Sequence, residues 1–250
     1  MEFLIFLVIQ IGIVALFHFK LAKYPEPLPL DENRRRTIWE TLIFWALTQI
    51  ILAAILFSGF AEPIIEGNPT PALLLQFILI TAVGYILVPV FYLVRVKKWT
   101  LRDFGFRRPV PNSRAIIIVA LLVFGIAGAL PLLDSGFTPI PILLLLFSLW
   151  QPAFIEEFFF RGIIQGNLER AIGQNKAWIF GGILFGLAHV TVNYFAADLD
   201  LVSGIFQFID QTVAGWIFGI LYSKTRSLYP GILVHFLTDG RLASIIDLIF

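Results

Sequence analysis

The chain has 250 residues, of which 58% are hydrophobic and only 14% charged, and its mean hydropathy is +0.87, a balance that no water-soluble domain maintains. A net charge of +1 gives no concentrated basic surface for nucleic acid, and the absence of cysteine excludes disulfides, thiolate metal ligands and a cysteine nucleophile together. What remains is an all-α integral membrane protein.

Apolar runs of about 20 residues predict a bundle of eight transmembrane helices over roughly 2–19, 37–59, 72–94, 115–133, 140–169, 177–196, 201–223 and 229–249. The first opens with Glu2 where a cleavable signal peptide wants positive charge, and it lacks a small-residue cleavage site, so it is expected to remain as a helix. The fifth is long and amphipathic near its end, and is expected to leave the bilayer near Glu169 and Arg170. Proline and glycine in "GNPTPA", "DSGFTPIP" and "SLYPG" break the spans without marking a soluble domain. One integrated membrane domain results, with generic helices over 1–99 and a polar core over 100–250.

The basic residues set the expected orientation. The first connection holds Lys20, Lys23, Arg34, Arg35 and Arg36, and the third holds Arg95, Lys97, Lys98, Arg102, Arg107, Arg108 and Arg114. The fifth holds Arg170 and Lys176, and the seventh Lys224 and Arg226, which makes 16 of the 18 cations. The even connections carry Glu62, Glu66, Asp134, Asp198 and Asp200 instead. By the positive-inside rule the odd-numbered connections are cytoplasmic and both ends of the chain face the other side.

The two remaining cations, Arg161 and Arg241, lie within spans, where an ionised group costs roughly 2.5–3.5 kcal/mol at the bilayer centre. In "EEFFFR", Glu157 and Arg161 are four apart with the acid first, the favourable order for an ion pair, and Glu156 points about 100° away from that face. Counting 1.5 Å per residue from the basic ends puts Glu156 about 20 Å deep, His189 about 18 Å, His235 about 9 Å and Asp239 about 15 Å. Three helices thus bring carboxylates and imidazoles to the same half of the bilayer. His235 shares a helix face with Asp239, as His189 does with Asn193, and Ser203, Gln207, Asp210 and Gln211 form a polar stripe on span seven. Asp210 reads as a supporting group or a partner for Arg241, and His18, beside Lys20, as an interfacial residue.

A carboxylate and an imidazole flanking one water can take its proton, while a second imidazole and a neighbouring donor stabilise the oxyanion formed on a carbonyl. That chemistry hydrolyses an amide without a covalent intermediate. No G-x-S-x-G marks a serine nucleophile, and H-E-x-x-H is absent.

"EEFFFR" matches an E-E-x-x-x-R motif, "FGLAH" an F-x-x-x-H and "HFLTD" an H-x-x-x-N/D, in an order and spacing that resemble the CAAX protease and bacteriocin-processing family, also called the abortive-infection family. "LRDFGFRRP" and "SLYPGILVH" resemble family features too, so the likeness covers about residues 100–245. The resemblance implies an intramembrane endopeptidase. Glu156 would be the general base, His189 would position or activate the water, His235 and Asp239 would hold the oxyanion, and Glu157 and Arg161 would support the site, with no cofactor. Asp239 stands where the prenyl-endopeptidase branch is expected to carry asparagine, and an ionised aspartate has no hydrogen to donate. Either Asp239 is protonated, or His235 holds the oxyanion alone, or Glu156, His189, His235 and Asp239 bind zinc. The expected partners are the lipid bilayer and a membrane-anchored peptide or prenylated protein. The rival readings are a transporter or proton relay, since buried Glu, Asp and His also mark ion pathways, and a catalytically silent membrane scaffold or immunity protein.

Overall fold

The structure is a computed structural model that describes residues 2–65, 69–129, 142–196 and 200–238. Among these residues it is all-helical: α1 (Phe3–Lys20), α2 (Arg34–Phe57), the short α3 (Glu62–Ile65), α4 (Pro71–Arg95), α5 (Pro111–Ala129), α6 (Ile142–Ile172), α7 (Gln174–Ala196), α8 (Leu201–Thr225) and α9 (Tyr229–Phe236). Six of them, α1, α2, α4, α5, α6 and α8, are long and apolar enough to cross a membrane. The sixth span expected from the sequence falls on the 23-residue helix α7, which is not one of these six and whose side chains are described only as far as Thr191. The eighth is described from Tyr229 to Thr238, and its remainder lies outside the described residues.

Local chemistry explains where the helices begin. The α2 helix starts before the apolar run because the Asn33 side chain accepts the Arg36 N–H at 3.1 Å, capping a first turn made of arginines. Thr70 caps α4 by accepting from the Leu73 N–H at 3.2 Å, with Pro71 behind it in the first turn. Asp200 caps α8 by accepting from Val202 and Ser203 at 2.8 and 3.1 Å. Between Glu157 and Gln165 the α6 backbone is π-helical. That wider winding is a recurrent feature of functional sites, and here it falls on the acidic motif.

The helices α7 and α8 cross in close contact. A Cβ on Gly186 would overlap the Thr212 hydroxyl, and one on Gly182 would overlap the Trp216 ring, so the two helices meet backbone to backbone. In a bilayer, where lipid tails remove the hydrophobic drive between helices, such close packing of small residues is what holds a pair together. His189 lies one turn beyond Gly186 and is placed by this contact.

The four odd-numbered connections meet at one end of the bundle. The Asp31 N–H donates to the Arg170 carbonyl at 2.8 Å, Lys97 pairs with Asp31 at 2.7 Å, and the Val110 N–H donates to the Thr225 carbonyl at 3.0 Å. Glu169 and Arg170, expected at a water boundary, are instead covered by protein: Arg226 pairs with both Glu169 oxygens at 2.5 and 2.6 Å, and Arg170 pairs with Asp103 at 2.8 Å. Lys224 is buried as well, its ammonium donating to the carbonyls of Phe17, His18, Leu21 and Ala22 at 2.6–2.9 Å. These bonds satisfy carbonyls at the π-helical end of α1 that have no helical partner. The His18 ring lies beside these carbonyls, with Nδ1 2.7 Å from the Tyr24 hydroxyl.

Candidate active site

Glu156 and Glu157 come from α6, His189 from α7 and His235 from α9, so three helices meet at one point. The Glu156 Oε2 atom is 3.8 Å from Nε2 of His189 and 3.8 Å from Nε2 of His235. Both separations exceed a direct hydrogen bond and suit a shared bridging group. The other nitrogen of each ring is engaged elsewhere. His189 Nδ1 lies 2.9 Å from the Phe185 carbonyl, and His235 Nδ1 lies 3.2 Å from Glu157 Oε1. A carbonyl only accepts, so His189 Nδ1 carries the hydrogen and, in the neutral ring, its Nε2 lone pair faces Glu156.

The two glutamates differ in exposure and partners. The Glu157 side chain is 1% exposed and lies between His235 and Arg161, whose Nε is 3.5 Å from Oε2. The Glu156 and His189 side chains are more open, at 15% and 20% exposed. The "EEFFFR" spacing therefore does pair Glu157 with Arg161, but Glu157 has a second contact that the sequence did not indicate, to a histidine 78 residues away. Gly231 makes room for it. A Cβ there would come within 2.6 Å of Glu157 Oε2.

Arg161 is 2% exposed and contacts Glu157 as an ion pair at 3.5 Å; none of its three side-chain nitrogens has a hydrogen-bond partner among the described residues. Aromatic faces surround the charge instead, with the guanidinium carbon 4.5 Å from the Phe185 ring centre, 5.3 Å from Phe218 and 6.0 Å from Phe160. Phe185 thus packs against both Arg161 and His189, the latter tilted at 49° with 4.4 Å between ring centres, which gives the phenylalanine of "FGLAH" a physical role. Tyr85 of α4, buried and packed edge-on against Phe159, is within electrostatic reach of Glu156. Nothing in the sequence pointed to it, because a single tyrosine in an apolar helix has no local signal.

Of the other expected residues, Asp210 accepts a hydrogen bond from Gln10 of α1 at 2.8 Å. Arg241, its anticipated partner, lies outside the described residues, as do Asp239 and the Asn193 side chain. Among the described residues no group of three His, Asp or Glu side chains is arranged to hold a metal ion.

The fold and the site define a polytopic helical membrane protein with a carboxylate and two imidazoles converging inside the bundle. The family model for the type II CAAX prenyl endopeptidase Rce1-like proteins matches residues 138–240, a segment that contains all three motifs. The family so matched is the one that the motifs resemble. No curated protein and no solved structure matches the chain.

Proposed function

We propose that the protein is an intramembrane endopeptidase that hydrolyses a peptide bond near the terminus of a membrane-anchored substrate, of which a prenylated CAAX protein is one form. The observation that carries this reading is the convergence of both histidine Nε2 atoms on one oxygen of Glu156, each 3.8 Å away, with both Nδ1 atoms engaged elsewhere. Glu156 removes a proton from a water positioned by His189. The water oxygen attacks the carbonyl carbon, and the oxyanion accepts a hydrogen bond from His235 Nε2–H, with protonated Asp239 as a second donor. The proton held by Glu156 then passes to the leaving amine, and the glutamate is regenerated.

His235 can donate through Nε2 only when that nitrogen carries a hydrogen. The eighth helix completes the bundle in this reading, and the odd-numbered connections face the cytoplasm, which puts the site in the cytoplasmic half of the bilayer.

In a second reading Glu156, His189, His235 and Asp239 would hold zinc, which would supply Lewis-acid chemistry for the water. The lone pair that the Phe185 carbonyl leaves on His189 Nε2 favours it, since a zinc-bound imidazole has its second nitrogen bonded in this way. The test common to both is Glu156→Gln, assayed on prenylated and unprenylated membrane-anchored peptides in liposomes. A loss of cleavage of about 100-fold or more is expected, with an unchanged melting temperature. Full activity in this variant would end the proposal.

A further inference from the structure

At the end of the bundle where the odd-numbered connections meet, Arg102, Arg107, Arg170 and Arg226 line a cavity of about 140 Å³ together with Asp103 and Tyr222. Two of the four guanidiniums are neutralised within the protein, Arg170 by Asp103 and Arg226 by the buried Glu169. The other two are not. Among the described residues neither Arg102 nor Arg107 has a carboxylate within ion-pair distance, and Arg107 is fixed in place by its Nε, which donates to the Arg226 carbonyl at 2.6 Å. Its two terminal nitrogens keep their hydrogens for another partner. The Tyr222 hydroxyl, buried at the same cavity, makes no hydrogen bond to a described residue and adds a further donor. Partial burial, joined by repulsion from Arg226 and Arg102 and opposed by Tyr222 and Asp103, holds the Arg107 pKa below the usual arginine value.

We infer that this cavity binds an oxyanion of phosphate size, carried by an anionic lipid headgroup or free in solution. Guanidinium forks match the paired oxygens of phosphate, and basic pockets at the ends of membrane helices are suited to lipid headgroups. The cavity takes its donors from the α4–α5 connection, from α6 and from the end of α8, so an anion would tie these three segments together. The inference does not depend on the peptidase reading.

The test uses the full chain purified in a neutral detergent with zwitterionic lipid. One arm titrates inorganic phosphate and follows the melting temperature. The other places the protein in phosphatidylcholine nanodiscs with and without phosphatidic acid, and counts retained lipid by native mass spectrometry. Saturable stabilisation by phosphate identifies the free ion, and selective retention of phosphatidic acid identifies the headgroup. In either arm Arg107→Gln should weaken binding roughly tenfold to a hundredfold, the range for a lost charged hydrogen bond. Arg102→Gln, on an exposed residue whose loss should leave folding intact, should weaken it in the same direction, and Arg108→Gln, exposed and off the cavity, should change nothing. Absence of saturable binding in both arms, or equal binding by wild type and Arg102→Gln, would overturn the inference.

Discussion

Replacing Glu157 by glutamine tests whether this carboxylate is a structural anchor distinct from the neighbouring Glu156. The side chain is 1% exposed, and its two oxygens serve Arg161, itself 2% exposed, and His235. Removing one partner of a buried ion pair costs roughly 3–5 kcal/mol, because the remaining charge stays buried without compensation. The three aromatic faces around Arg161 already stabilise its charge, each by about 0.5–2 kcal/mol, and they remain after the substitution. A net loss near the lower end, about 3 kcal/mol, is therefore expected. For a chain of this length that corresponds to a melting temperature lower by roughly 6–12 °C. The measurement is thermal unfolding of detergent-solubilised protein followed by tryptophan fluorescence, with Glu156→Gln as the matched control. The double variant Glu157→Gln/Arg161→Met should recover much of the loss, since it removes the orphaned charge and leaves an apolar chain in an aromatic box. Equal melting of Glu157→Gln and wild type would refute the assignment of Glu157 as the counter-charge of Arg161 and His235.

Three further outcomes can be measured. If Asp239 donates a hydrogen bond to the oxyanion, Asp239→Asn keeps or raises activity, shifts the pH optimum upward and leaves the enzyme indifferent to chelators; if Asp239 is a zinc ligand, the same substitution lowers metal content and activity together. In this naturally cysteine-free chain, single cysteines at positions 35 and 108 should be labelled from the cytoplasm and those at 69 and 198 from the opposite side, and labelling of position 69 only from the cytoplasm would remove the eight-helix topology. Burial raises the pKa of Asp31, but hydrogen bonds and charge from Lys97, with Thr37, outweigh it and hold the carboxyl below its usual value. Its stabilising contribution is then complete above the unfolded aspartate pKa and disappears as pH falls through the lower folded value; wild type should therefore lose stability on acidification more steeply than Asp31→Asn, and parallel curves would count against the pair.

The amino-acid order alone determined the membrane class, the helical content, the charge alternation along the connections and the identity of the acidic and histidine motifs. These are legible because each depends on local repetition: about 20 apolar residues to span a hydrocarbon layer, cations clustered between spans, and a four-residue spacing that puts Glu157 beside Arg161. The tertiary structure decided the relations between distant segments. Glu157 reaches His235 because Gly231 has no Cβ, and His189 reaches the site because Gly182 and Gly186 let α7 settle against α8. Arg170, Lys224 and Arg226 look in the sequence like solvated ends of helices. Packing buries them, because Asp103, Glu169 and a set of main-chain carbonyls supply their partners. A carbonyl belongs to every residue type alike, so no sequence pattern announces that four of them will surround one ammonium; only the folded path of the chain brings them together.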